Sequence, residues 1–142
     1  MEAVQAKDGA LIAVDTNVLA RLFVVDDPAQ SEIVRQFFAE RSEADPAFVS
    51  LLVIAKLVWL LDDTYAFPLA AIAGVLENLL ASPDFVLESP EFIADAVALA
   101  DKRKIDIADF LIARIARQND CRATVTFDID ASKRVPGMEL LK

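Results

Sequence analysis

Short solid apolar runs alternate along the chain with stretches in which apolar residues recur at helical spacing. Leu11–Val14 is an unbroken apolar run that stops at Asp15. A run that short, closed by a charge, predicts a buried strand. Val18–Val25 predicts a helical segment ending in a turn at Asp26–Asp27–Pro28, and Ala29–Arg41 places Ile33, Val34, Phe37 and Phe38 on one helical face. Asp45–Pro46 breaks the chain. Ser50 is positioned to cap a helix running from Leu51 to about Asp62. Leu69–Leu80 is a further amphipathic helix, ended by Ser82–Pro83, and Phe85–Leu87 is a second strand. Pro90–Asp101 predicts a helix, Lys102–Lys104 a basic turn, and Asp106 a cap for the helix Ile107–Arg117. Ala123–Phe127 is a third strand that stops at Asp128, and Met138–Leu141 a last edge strand after Pro136–Gly137. Strands separated by helices imply an α/β fold with a mostly parallel sheet and helices on both faces. The length of 142 residues suits one domain over 1–142, with 1–10 as an N-terminal extension.

Composition narrows the chemistry. The chain has no histidine and one cysteine, Cys121. Histidine-based nucleophilic catalysis, an internal disulfide and a cysteine-built zinc site are therefore excluded. What remains is carboxylates, lysine, hydroxyls and hard metal ions. The hydrophobic fraction of 56 % and mean hydropathy of +0.41 are high enough to suggest surface buried against a partner. No apolar run reaches the roughly 18–20 residues of a membrane span, and the N-terminus has no basic leader, so a cytoplasmic protein with no membrane association is expected. The net charge of −9 disfavours contact with nucleic acid unless cations or a basic partner offset it.

Two predicted strands end in aspartate, Asp15 and Asp128. Open α/β sheets place their sites at the carboxyl ends of parallel strands. Asp109 lies in the first turn of the helix that feeds the second of these strands, so three acids distant in sequence are candidates to converge. Carboxylates without histidine suit Mg²⁺ or Mn²⁺, and such a site could activate water against a phosphodiester. Asn17 and Thr126 stand beside the strand-end acids and could steady ligands or water. Each acid also has a plain structural explanation, since aspartate is common after strands and at helix N-termini. Asp106 fits the role of a cap, and Asp130 is expected to face solvent. Lys56 is the lone charge in the apolar run Phe48–Leu61, so it either extends to the surface or points into the acidic cleft. Arg114 and Arg117, three apart on one helix, are candidates for RNA contact, with ordinary solvated surface as the alternative. Trp59 and the phenylalanines are expected in the core.

Taken together, four segments resemble one family. VDTNVL at Val14–Leu19, FVSLLVIAKLVWLL at Phe48–Leu61, DFLIARIA at Asp109–Ala116 and TVTFDID at Thr124–Asp130 are similar, in this order and spacing, to PIN-domain ribonucleases of the VapC toxin type. The resemblance runs from about Leu11 to the C-terminus. It implies a three-layer α/β/α fold and an endoribonuclease using Mg²⁺ or Mn²⁺ against tRNA or rRNA. By resemblance, Asp15 and Asp109 are the principal metal ligands, with Asp128 as an outer or second-metal ligand. It further implies a homodimer and a VapB-type antitoxin partner, with operator DNA bound only through that antitoxin.

One position departs from the family pattern. Where the resemblance calls for a glutamate, in a pattern like AELVW, this chain has Ala55–Lys56–Leu57–Val58–Trp59. Three carboxylates and an ammonium bring a site about −2, where four carboxylates would bring about −4, so cation affinity should fall sharply. The expected function is thus a metal-dependent ribonuclease toxin attenuated by Lys56, either naturally or by an introduced detoxifying substitution. The intact remaining acids favour the second origin. A non-catalytic binding module acting through antitoxin complexes is the alternative. An aspartate-based phosphatase is disfavoured because Asn17, not an acid, lies two residues after Asp15.

Overall fold

A computed structural model describes residues 11–142 of the chain; the N-terminal extension expected at 1–10 lies outside the described residues. Strands β1 (Ile12–Ala13), β2 (Ala47–Val49) and β3 (Phe85–Leu87) form a parallel sheet in that order, with Ala13 opposite Phe48 and Phe48 opposite Val86. Strands β4 (Thr124–Thr126) and β5 (Met138–Leu140) form a second parallel pair, Thr124 opposite Met138. Seven α-helices occur among the described residues. They are α1 (Thr16–Ala20), α2 (Pro28–Ala39), α3 (Leu51–Trp59), α4 (Leu69–Ala81), α5 (Pro90–Arg103), α6 (Ile107–Gln118) and α7 (Ile129–Arg134). The α/β class with a mostly parallel sheet is as the sequence pattern predicts.

The helices pack through their apolar stripes. Ile54 and Leu57 of α3, Leu76 and Leu79 of α4, Ile93 of α5 and Leu111 of α6 are all essentially solvent-free. At about 25 cal/mol per Å² of apolar surface removed from water, this shared core is the dominant stabilising term. The packing of α3 on both α1 and α6 links the strand end that carries Asp15 to the helix that carries Asp109.

Several elements differ from the pattern-based expectation. Strand β2 occupies the residues between Pro46 and Ser50, too few to show an alternation of their own, and was absorbed by the apolar run that follows. Ile12 in β1 is 40 % exposed rather than buried, because β1 has a single ladder partner among the described residues and an open second edge. The first helix is short, closing at Ala20 with a turn at Arg21–Phe23. Helix α3 stops at Trp59 and widens into a π turn over Leu60–Thr64, where Asp62, Asp63 and Thr64 give poor helical propensity. Helix α5 runs to Arg103, through part of the expected basic turn, and Lys104 ends it in the left-handed region at φ 57°.

Candidate functional site

Each strand-end acid enters a helix N-terminus. Asp15 follows β1 and caps α1, its Oδ1 accepting the Thr16 N–H at 2.7 Å. Asp128 follows β4 and caps α7, its Oδ1 accepting the Ala131 N–H at 2.9 Å. Asp106 caps α6 by accepting the Asp109 N–H at 3.0 Å, the role its position predicts. Capping occupies one oxygen of each carboxylate and leaves the other free. Asp109, in the first turn of α6, accepts no such bond among the described residues.

Asp109 and Asp128 share a concavity of about 200 Å³ with Asp106, Asp130, Lys104 and Arg134. Asp130, expected to face solvent, is exposed and still lines this concavity. Burial first, and then the charges of Asp106 and Asp128, push the Asp109 carboxyl above the usual aspartate range. Thr126 steadies the rim, its Oγ1 accepting the Asp128 N–H at 3.0 Å.

Asp15 lines no part of that concavity. It lines a separate cavity of about 280 Å³ with Thr16, Asn17, Lys56, Trp59 and Leu60. Lys56 is exposed and faces this cavity, and it forms no ion pair with Asp15 within 4.0 Å. Trp59 is 61 % exposed, contrary to the expected core position, because it stands one turn beyond Lys56 on the open face of α3 rather than on the Ile54–Leu57 stripe. Phe127 is likewise 80 % exposed, beside Asp128.

The two arginines lie on a third surface. Arg114 stacks its guanidinium 4.2 Å from the Phe92 ring centroid and approaches Asp95 at 3.8 Å. With Arg117 and Lys102 it lines the groove between α5 and α6, whose lining includes Phe110 but not Asp109. Lys102, on α5, adds a third basic side chain to this groove.

Asp109 and Asp128 line one concavity and Asp15 another, so with Lys56 in place the three acids do not share a single lining. Among the described residues no group of three or more His, Cys, Asp or Glu side chains is close enough to hold a metal ion. The mutual repulsion of Asp109, Asp106 and Asp128 is what a cation would relieve, but the Asp15 half carries an ammonium where a further acid would be needed. The site is thus split into an acidic half and a mixed-charge half.

Comparison with known proteins identifies the family. The family model for the PIN domain matches residues 12–137. A VapC ribonuclease of Aquifex aeolicus (strain VF5) is 32 % identical over 114 residues, covering 80 % of this chain and 84 % of that protein. Strand-end aspartates, a parallel sheet flanked by helices and these two matches lead to one conclusion: the chain belongs to the PIN-domain family, among its VapC-type ribonucleases.

Proposed function

We propose that this chain is a VapC-type endoribonuclease toxin whose metal centre is attenuated by Lys56. The shared cavity of Asp15 and Lys56 carries this reading. An ammonium beside the first acid offsets its charge and supplies a donor where a metal ligand must accept. In a form bearing glutamate at position 56, Asp15, Asp109 and Asp128 would serve as ligands for Mg²⁺ or Mn²⁺, with Asn17 and Thr126 steadying the strand ends. The ribonuclease activity named for the Aquifex relative supports an RNA substrate, with tRNA or rRNA as the class the family resemblance implies, and the high hydropathy supports a VapB-type antitoxin that covers apolar surface. Homodimerisation, operator DNA bound through the antitoxin and a cytoplasmic location belong to the same proposal. No helix among the described residues is long and apolar enough to cross a membrane.

The test compares the chain with its Lys56→Glu variant on a panel of RNAs in Mg²⁺ buffer. Cleavage is expected from the variant alone, and it should vanish when EDTA removes the metal. Adding Asp109→Asn to that variant should reduce the rate by more than the roughly 10–100-fold that loss of a group supporting a metal ligand costs. Equal cleavage by both proteins would mean that Lys56 does not disturb the site. Silence from both, with folding intact, would favour the second reading, a PIN-fold module that binds without cutting.

A further inference from the structure

The cavity between α1 and α3 combines groups that a metal site does not need. Trp59 presents its indole to solvent in a helix that otherwise buries its large apolar side chains well, apart from Leu52 at the opposite end. Lys56 lies one turn before it on the same face, so ammonium and ring line one opening. The Thr16 hydroxyl, in a residue only 4 % exposed, has no hydrogen-bond partner, and Thr16 lines the same cavity. A buried hydroxyl left without a partner costs free energy that a ligand or water can recover. The Asn17 amide also makes no hydrogen bond among the described residues, and it stands beside Asp15 at the rim.

An aromatic face, a cation, an amide and an unsatisfied hydroxyl are the complement of a nucleotide. We infer that this cavity binds a single nucleotide unit of an RNA strand, the base stacked on Trp59 and the phosphate paired with Lys56. Base–aromatic stacking tolerates any base, which suits a site with so few directional polar groups. Asn17 is the group available to the base edge or the ribose, and the buried Thr16 hydroxyl leaves the floor of the cavity polar. Asp15, with Oδ1 engaged by the Thr16 N–H, retains one oxygen to accept from a ribose hydroxyl. Lysine at position 56 determines the sign of the site. A glutamate there would place two carboxylates at the opening and repel a phosphate. Lysine at this position therefore disfavours a cation and favours an anion in the same space.

This inference deepens the proposed RNA-directed function, but its test runs in EDTA, where no cleavage is required, so the two can fail separately. Trp59 is the only tryptophan of the chain, and its fluorescence reports the cavity alone. The full chain is titrated with adenosine 5′-monophosphate, adenosine and inorganic phosphate. A saturable change is expected with the nucleotide, with the nucleoside and phosphate each at least about tenfold weaker. Lys56→Glu should weaken nucleotide binding about tenfold or more, the scale of a lost charge-assisted hydrogen bond, and Lys56→Arg should retain it. Trp59→Leu, followed by saturation-transfer NMR, should lose the base signals. Phosphate binding as tightly as the nucleotide would reduce the site to a bare cation and overturn the stacking. An unchanged midpoint in Lys56→Glu, or no saturable change at all, would overturn the site itself.

Discussion

Asp109 sits in surroundings that disfavour its charge. Burial and the neighbouring Asp106 and Asp128 raise its folded-state pKa above that of the unfolded chain. The folded state therefore binds the Asp109 proton more tightly than the unfolded state does. Stability from this residue falls as pH rises from the unfolded to the folded value, and stays lower above both. Asp109→Asn should raise Tm at neutral pH by about 1–3 °C, modest because the group is partly solvated. It should also flatten the loss of stability on going from acid to neutral pH. Calorimetry of the two proteins across that range checks both, and a lower Tm for the variant would mean that Asp109 makes a stabilising contact instead. A carboxylate kept where it weakens the fold is the pattern of a functional residue.

At the scale of elements, the start of α3 is held by two side chains from different segments. Ser50 Oγ accepts the Val53 N–H at 3.1 Å, and Glu88 Oε1, from the end of β3, accepts the Leu51 N–H at 2.8 Å. Ser50→Ala should cost about 1 kcal/mol, lowering Tm by about 3–4 °C in thermal denaturation. The Ser50 and Asp106 caps were legible because a polar residue before an apolar run has a local signature. The Glu88 bond was not, since it joins residues 37 apart and depends on β2 and β3 lying side by side. The same limit governs the site. Sequence order brought Asp15, Asp109 and Asp128 to strand and helix ends, but which ends share a cavity depends on how α1, α3 and α6 pack. Helical spacing identified the face of Lys56 and Trp59 without telling whether that face is covered.

For the molecule as a whole, the described strands divide into β1–β2–β3 and β4–β5, with no ladder between the two sets. Their connection runs through helix packing and buried residues such as Ala131, Val135 and Met138. Opening of the β4–α7–β5 segment should therefore precede global unfolding. In hydrogen exchange the amides of Thr124–Thr126 and Met138–Leu140 should exchange faster than those of Ala47–Val49. Equal protection throughout would indicate one cooperative unit. The Asp128 rim lies on the segment expected to open first, and Asp15 on the sheet expected to persist.

The three caps have a consequence for how this chain came to carry Lys56. Asp15, Asp106 and Asp128 each hold a helix N-terminus by a bond of 3.0 Å or less. A lineage that abandoned catalysis would still be selected to keep them, because replacing a capping aspartate weakens the fold. Their survival thus dates nothing: it is as compatible with an ancient loss of activity as with a recent or deliberate disarming. Asp109 is different: it caps no N–H among the described residues, and although the first turn of α6 favours a negative charge, burial and its acidic neighbours oppose it. Of these four aspartates it is therefore the one whose charge the nuclease reading, rather than helix capping, explains.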